Sequence, residues 1–179
     1  AQLAQWDANV VMTIEPATEQ DAQAVAKIHV DAWRAAFVGI VPDDYLAALS
    51  VEQRFEMWRQ AITDQAPELL VARLDGRVIG WVSFGPSRDK DAAADASEIW
   101  AIYLDPSHVG NGVGRALWLH ARKRLIERGF KSAMLWVLSG NARAIRFYER
   151  AGFTVDAGPP QRFTLGGREL EELRYMTPL

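Results

Sequence analysis

The sequence of 179 residues contains no cysteine, so it can form neither a disulfide nor a thiolate metal site. Proteins of the reducing cytoplasm lack disulfides, and we expect a cytoplasmic location. Histidine is also scarce. His29, His108 and His120 stand in unrelated segments, without the close spacing that metal ligands show. We therefore expect no metal site.

A strong charge of one sign and long apolar runs are absent as well. The formal net charge is −3, so no overall basic field attracts nucleic acid. No uninterrupted apolar run approaches the ~20 residues that a membrane-spanning helix needs. We expect neither nucleic acid nor a membrane as a partner. With 49% hydrophobic and 24% charged residues, the composition is typical of a globular domain.

Residues 1–11 show no helical or strand period, whereas the sequence from Met12 onward reads like the opening of a domain. We therefore expect residues 1–11 to be a disordered extension and residues 12–179 to form one domain.

Strand-like and helical patterns alternate along this domain. The strand-like runs are 12–15, 69–74, 77–84, 97–104, 131–138, 153–157 and 169–176. Helical patterns cover 18–39, 50–62, 113–129 and 141–151, with a short helical piece at 42–49. Such an order predicts a single mixed α/β layer.

One stretch, DPSHVGNGVGRAL (105–117), places three glycines at alternate positions between a strand and a helix. Free N–H groups and the helix dipole make such a turn an anion site, and glycine lets the backbone approach a phosphate. The P-loop pattern fails because Arg115 and Ala116 follow Gly114. The dinucleotide fingerprint fails because Arg115 and Leu117 stand where it requires glycine.

A third pattern fits this stretch. Residues 109–114 resemble the acyl-CoA-binding motif Q/R-x-x-G-x-G/A of the GNAT acyltransferase superfamily, although Val109 departs from its first position. NARAIRFYERAGF (141–153) resembles the second signature of that superfamily. Its matching positions are Asn141, Ala144, Tyr148, Gly152 and Phe153. The chain thus resembles a GNAT N-acetyltransferase over roughly residues 12–178.

The resemblance implies a mixed central sheet of about six or seven strands, flanked by about four helices. Its two parallel middle strands, 97–104 and 131–138, should splay apart and hold the pantetheine arm of acetyl-CoA between them. The residues implied in cofactor binding are Ile102, Tyr103, Leu104, Val109, Gly110, Asn111, Gly112, Val113, Gly114, Arg115, Asn141, Ala144 and Tyr148. Arg122, Lys123 and Arg124 are interpreted as a solvated helix face.

Two residues are candidates for catalysis. Glu98 lies eleven residues before Val109, a spacing at which a strand glutamate acts as the base in several GNAT enzymes. Tyr148 is implied as the proton donor to the thiolate, because a phenol with a pKa near 10 stays protonated at neutral pH. Asn141 precedes a helix and is also a preferred N-cap.

The acceptor implied is a primary amine of a small molecule, such as an amino acid, a polyamine or an antibiotic. Its pocket is assigned to Trp33, Phe37, Tyr45 and Glu98. Val38, Trp81 and Phe84 are further candidates. Two alternatives stay open, a protein or peptide N-acetyltransferase and an acyl-CoA-binding regulatory module without turnover. A homodimer is also open, and the sequence does not identify the acceptor.

Overall fold

A computed structural model describes residues 11–179, so the prediction for residues 1–11 lies outside the described residues except at Val11. The strands are β1 (Met12–Pro16), β2 (Glu68–Leu74), β3 (Arg77–Pro86), β4 (Ala96–Leu104), β5 (Ser132–Leu138), β6 (Thr154–Val155), β7 (Gln161–Leu165) and β8 (Arg168–Pro178). The helices are α1 (Ala22–Ala36), α2 (Asp43–Ala47), α3 (Val51–Asp64), α4 (Val113–Glu127) and α5 (Ala142–Arg150). Within residues 11–179, no helix is long and apolar enough to cross a membrane.

All described strands belong to one sheet. Its order is β1-β2-β3-β4-β5-β8-β6, and β7 pairs with β8. The β4–β5 pair is parallel, whereas the other pairs are antiparallel. The mixed sheet with a parallel middle pair is confirmed.

The parallel pair opens partway along its length. β4 and β5 pair from Ala96 with Ser132 to Glu98 with Met134, and no further. On the other side of β4, Ala101 pairs with Ser83 and Ile99 with Phe84, which leaves Trp100 as an extra residue. Such a bulge bends and twists its strand. The splay between the middle strands is therefore also confirmed, and it begins just after Glu98.

The two faces of the sheet bury different helices. On one face α4 and α5 pack over a core that includes Val82, Phe84 and Leu117. On the other face α1 and α3 pack over a core that includes Trp81. A third cluster joins the end of α1 and α2 to Leu138 and Leu170 on β5 and β8. Adjacent strand residues point to opposite faces, so Glu172 on β8 shares the face of Leu170.

The structure corrects the expectation that Trp81 or Phe84 lines the acceptor pocket. Both side chains are completely buried in the core. The Trp81 Nε1–H donates to the carbonyl of Val25 on α1 at 3.1 Å. These two aromatic side chains therefore support the sheet from opposite faces.

β7 was not predicted from the sequence. No strand was expected between 157 and 169, whereas the structure has a hairpin in which Leu165 pairs with Arg168. The connecting residues, Gly166 and Gly167, have φ of +57° and +82°. Two glycines between strand-like runs are a known hairpin signal, because glycine adopts positive φ without strain. This hairpin brings β7 to the candidate site.

Candidate active site in the gap between β4 and β5

A cavity of about 1070 Å³ passes through the gap between the splayed strands. It collects residues that lie far apart in the sequence. The residues predicted for the site that line it are Trp33, Phe37, Glu98, Ile102, Tyr103, Leu104, Val109, Gly110, Gly112, Gly114, Arg115, Asn141, Ala144 and Tyr148.

Other predicted site residues lie outside the cavity wall. Val113 is completely buried in the core under the glycine turn. Asn111 and Val38 are exposed and do not line the cavity. Tyr45 lies behind the wall, where its ring centroid is 6.5 Å from that of Trp33. The side chains of Val113 and Tyr45 thus lie behind residues of the cavity wall, and the Val113 backbone N–H is the first of α4.

The glycine turn has the geometry of an anion site. Gly110 and Gly112 have φ of +88° and +83°, and Gly112 is the N-cap of α4 without a side-chain hydrogen bond. A Cβ placed on Gly112 would meet no atom within 4 Å, so the space beside it is open. The first N–H groups of α4 face this end and favour a negative charge there. At Gly114, by contrast, a Cβ would lie 3.2 Å from Phe147 Cε2, so that glycine permits close packing of α4 and α5.

Four arginines line the cavity beside the glycine turn. Arg115 follows the turn, and Arg143, Arg146 and Arg150 are exposed residues of α5. Arg143 Nη2 lies 3.7 Å from where a Cβ on Gly110 would stand. The sequence analysis missed these three α5 residues, although their spacing of three and four residues places them on one helix face. We call Arg115, Arg143, Arg146, Arg150 and the glycine turn the arginine half of the cavity.

Glu98 lines the cavity from the other side, and only 2% of its surface is exposed. Its carboxylate accepts hydrogen bonds from the Arg88 backbone N–H at 3.0 Å, from Nε at 3.3 Å and from Nη2 at 2.5 Å. The Arg88 guanidinium stacks 3.9 Å from the Trp100 ring centroid. Arg88 belongs to loop 87–95, in which no site residue was predicted from the sequence. A buried carboxylate needs such a partner, because an unpaired buried charge costs several kcal/mol.

The same loop is attached to the sheet through a second carboxylate. Asp89 accepts hydrogen bonds from Trp136 Nε1 on β5 and Arg174 Nη1 on β8, both at 3.1 Å. Arg174 also pairs with Asp91 at 2.9 Å and with Asp156. Loop 87–95 therefore forms a fixed wall of the cavity.

Glu172 on β8 is a third carboxylate of the wall, and the sequence analysis assigned no role to it. It pairs in register with Leu138 on β5 and Gln161 on β7. Burial raises the pKa of its carboxyl, and the nearby negative charge of Glu98 raises it further. We call Asp89, Glu98, Glu172 and the surrounding apolar wall the carboxylate half.

Two tyrosines border the cavity with different surroundings. Tyr148 packs against Phe147 and Phe153, and burial raises the pKa of its phenol above the usual 10. Tyr103 accepts a hydrogen bond from Trp33 Nε1 at 2.9 Å, and burial raises its pKa to about 12. Both phenols are therefore protonated at neutral pH. Asn141 Oδ1 accepts from the Ala144 N–H at 3.3 Å and caps α5.

Within the described part of the chain, no cluster of three or more His, Cys, Asp or Glu could hold a metal ion. One buried donor of the wall, Trp100 Nε1, has no hydrogen-bond partner among residues 11–179. It is therefore available to a bound molecule that carries an acceptor atom.

Known proteins are similar to this chain in fold and in sequence. The model of the Acetyltransferase (GNAT) family matches residues 23–153. The uncharacterized N-acetyltransferase YuaI of Bacillus subtilis (strain 168) is 32% identical over 164 residues, which are 91% of this chain and 91% of YuaI. The L-amino acid N-acyltransferase MnaT of Escherichia coli (strain K12) is 28% identical over 160 residues, 89% of this chain and 90% of MnaT.

Among solved structures, that of YncA from Salmonella typhimurium with its cofactor acetyl-CoA superposes with a TM-score of 0.72 at 28% identity. The match covers 93% of each chain. Because the family model spans most of the sequence and YuaI matches nearly all of it, this chain belongs to the acetyltransferase (GNAT) family, as its two motifs predicted.

Proposed function

We propose that the chain transfers the acetyl group of acetyl-CoA to a primary amine of a small molecule. One observation carries this proposal. A single cavity joins an anion-binding glycine turn with four arginines to a half that contains Glu98 and Glu172. A polyanionic acyl carrier and a cationic amine would enter complementary halves of it.

The arginine half fits the phosphates of coenzyme A. The open space beside Gly112 admits a phosphate against the first N–H groups of α4. Arg143 stands next to Gly110 and supplies a charge-assisted donor there. Val109 lacks the polar side chain of the usual motif, and these arginines make up for it.

The splayed strand offers the acyl carrier its backbone. Beyond Glu98, β4 has no strand on its β5 side, so N–H and C=O groups of residues 99–104 on that side are free. A pantetheine arm carries two amides, and it can pair with Ile102 to Leu104 as an added strand. The Asn141 side chain borders the same gap.

Three groups of this chain would then act on the reaction. Glu98 accepts one proton from the bound ammonium, which leaves a neutral amine able to attack the thioester carbonyl. As the carbon–nitrogen bond forms and the carbon–sulfur bond breaks, Tyr148 Oη gives a proton to sulfur. The second proton of the attacking nitrogen restores the phenol. Backbone N–H groups of β4 stabilise the oxygen that gains charge.

The shape of the cavity favours a small acceptor over a peptide. β7 on one side and loop 87–95 on the other both contribute wall residues. The likeness to MnaT and to YncA with acetyl-CoA supports the same chemistry. A regulatory module without turnover would need neither Glu98 nor Tyr148, and this chain has both.

Release of free coenzyme A thiol, measured with acetyl-CoA and a panel of amines, amino acids and peptides, tests the proposal. We expect acceptor-dependent thiol release with at least one small amine. Coenzyme A should also raise the melting temperature clearly more than ATP or NAD does, because it binds the folded chain alone. Equal stabilisation by NAD would contradict the assignment of the glycine turn. Turnover with peptides and with no small amine would favour the peptide alternative.

A further inference from the structure

The carboxylate half contains one carboxylate without a direct partner among the described residues, and the charge of Arg88 compensates it only in part. Asp89 is paired with Arg174, and Glu98 with Arg88. No residue between 11 and 179 forms a hydrogen bond or ion pair with the Glu172 carboxylate, although it is half-buried in the cavity wall. A half-buried carboxylate without a partner is costly, and a cationic ligand relieves that cost.

The walls around Glu172 are apolar and largely aromatic. On this face of the sheet the cavity is lined by Trp33, Phe37, Trp136, Leu138, Phe163 and Leu170. Trp33 and Phe37 meet edge to face, with ring centroids 4.9 Å apart. A lining of this kind encloses an apolar body, and its ring faces attract an ammonium group.

Positive charge is not available to a ligand in this half. Among the described residues of the carboxylate half, the cation at the wall is Arg88, which is engaged with Glu98 and stacked on Trp100. The other wall arginines belong to α4 and α5, on the opposite face of the sheet. A carboxylate on the acceptor would therefore lie beside Glu172 without a cationic partner.

We propose that Glu172 binds the ammonium group of the acceptor, and that the acceptor is a primary amine on an apolar, aromatic body that carries no carboxylate. The inference rests on the proposed function and narrows it to one substrate class. Amino acids are disfavoured by their carboxylate. Polyamines are disfavoured because Asp89 and Glu98 already have ion-pair partners, so a second ammonium would find no carboxylate without one in this half.

Three acceptors with the same phenyl body, and one aliphatic diamine, separate these classes. The wild-type protein is assayed with acetyl-CoA and 2-phenylethylamine, L-phenylalaninol, L-phenylalanine or putrescine. We expect kcat/KM for the first two to exceed that for the last two by roughly tenfold or more, about 1.4 kcal/mol. A preference for phenylalanine over phenylalaninol overturns the inference, although acetyl transfer itself would stand.

Glu172→Gln tests the residue, and Glu171→Gln is its matched control. Glu171 is the neighbour on the same strand, pairs with Arg162 at 3.3 Å and does not line the cavity. Each variant removes one negative charge from β8. We expect E172Q to raise KM for 2-phenylethylamine roughly tenfold while KM for acetyl-CoA stays within about twofold. E171Q should change neither constant, and equal effects of both variants overturn the role of Glu172.

The inference and the proposed function can fail separately. Should no amine be acetylated, calorimetric titration of 2-phenylethylamine into wild type and E172Q, with coenzyme A present, measures the binding alone. Binding that weakens in E172Q and not in E171Q supports the inference without acetyl transfer. Absence of binding to wild type overturns it. The wild-type acceptor series decides the substrate class even if E172Q does not fold.

Discussion

The two halves of the cavity carry opposite charges in opposite settings. Arg143, Arg146 and Arg150 of the arginine half are exposed, and none forms an ion pair with another described residue. In the carboxylate half, Glu98 is buried and bonded to Arg88, and Glu172 is half-buried. Exposed cations attract a polyanion from solvent at little cost, whereas buried charges must find specific partners. The first half therefore suits the polyanionic acyl carrier that we propose, and the second half suits the cationic acceptor that we propose.

The largest effect is expected in the carboxylate half. Glu98→Gln removes a proton acceptor but keeps the size of the side chain, so kcat/KM should fall roughly 10²–10⁴-fold at neutral pH. The deficit should shrink as pH rises, because more of the amine arrives already deprotonated. A pH–rate profile of thiol release measures both results.

Two comparisons make the Glu98 experiment specific. The melting-temperature increase caused by coenzyme A should survive in Glu98→Gln, since the arginine half is untouched. Tyr148→Phe should also lower turnover, but its deficit need not shrink with rising pH. A Glu98→Gln variant with wild-type rates at pH 7 would remove Glu98 from the mechanism.

Acid should weaken the support beneath the carboxylate half. His29 packs against Trp33 and Tyr103 of the cavity wall and accepts a hydrogen bond from Trp58 Nε1 at 3.0 Å. Burial, followed by the charge of Arg54, lowers its pKa from 6.5 to about 3. Between these two pKa values His29 is protonated in the unfolded chain and neutral in the folded chain. The free energy of unfolding should therefore fall as pH drops below 6.5, by about 2–3 kcal/mol at pH 4.5.

Urea unfolding of wild type and His29→Gln across pH 4.5–7.5 checks this effect. Glutamine does not titrate and offers an oxygen to Trp58, so the stability advantage of wild type should narrow as pH falls. Above pH 6.5 His29 is neutral in the folded and in the unfolded chain. The difference in the free energy of unfolding between wild type and His29→Gln should therefore be constant there. Curves that run parallel down to pH 4.5 would show that His29 titrates normally.

A medium effect is expected in the arginine half. Replacing Arg143 and Arg146 together by Gln should weaken coenzyme A binding roughly tenfold to thirtyfold, because two charge-assisted donors to phosphate are lost. The loss should shrink at high salt. Isothermal titration at two salt concentrations measures it.

The control is the pair Arg122→Gln and Lys123→Gln on α4, which do not line the cavity. Acetyl-pantetheine is an acetyl donor that lacks the nucleotide phosphates of acetyl-CoA. With this donor, the two double variants should have the same turnover. Equal losses of coenzyme A affinity in the two double variants would mean that the affinity depends only on the total charge of the protein. KM for the amine should not change in either, in contrast to Glu172→Gln.

The smallest effect is expected at the glycine turn. Gly112→Val fills the open space where phosphate approaches the N–H groups of α4, and coenzyme A affinity should fall about tenfold, about 1.4 kcal/mol. Gly129→Val is a matched control, because Gly129 has φ of +86° and a Cβ there also meets nothing within 4 Å. Both variants carry the same backbone strain. Equal coenzyme A affinity in both would show that the turn shapes a loop and nothing more.

Most of the arginine half could be predicted from the sequence, because its parts are short, continuous segments. The glycine turn and the helix that begins after Asn141 are short segments whose residue spacing indicates their conformation. An apolar run, which predicts a strand, precedes each of them. Even there, Arg143, Arg146 and Arg150 were missed although their spacing marks one face of a helix. The Gly166–Gly167 turn was likewise a readable hairpin signal.

The carboxylate half depends on the order of strands in the sheet. β8 lies beside β5, which brings Glu172 into the same cavity as Glu98, and loop 87–95 folds back to place Arg88 on Glu98. Neither contact has a local signature, because two helices and three strands separate Glu98 from Glu172, and Arg88 belongs to a loop that could adopt other paths. The sequence by itself thus determined the family, the glycine turn between a strand and a helix, and the position of Glu98 on that strand. Only the tertiary structure decided which carboxylates of the cavity have an ion-pair partner. Such pairs depend on distances between segments that are far apart in the sequence, and the hydrophobic pattern of each segment does not predict those distances.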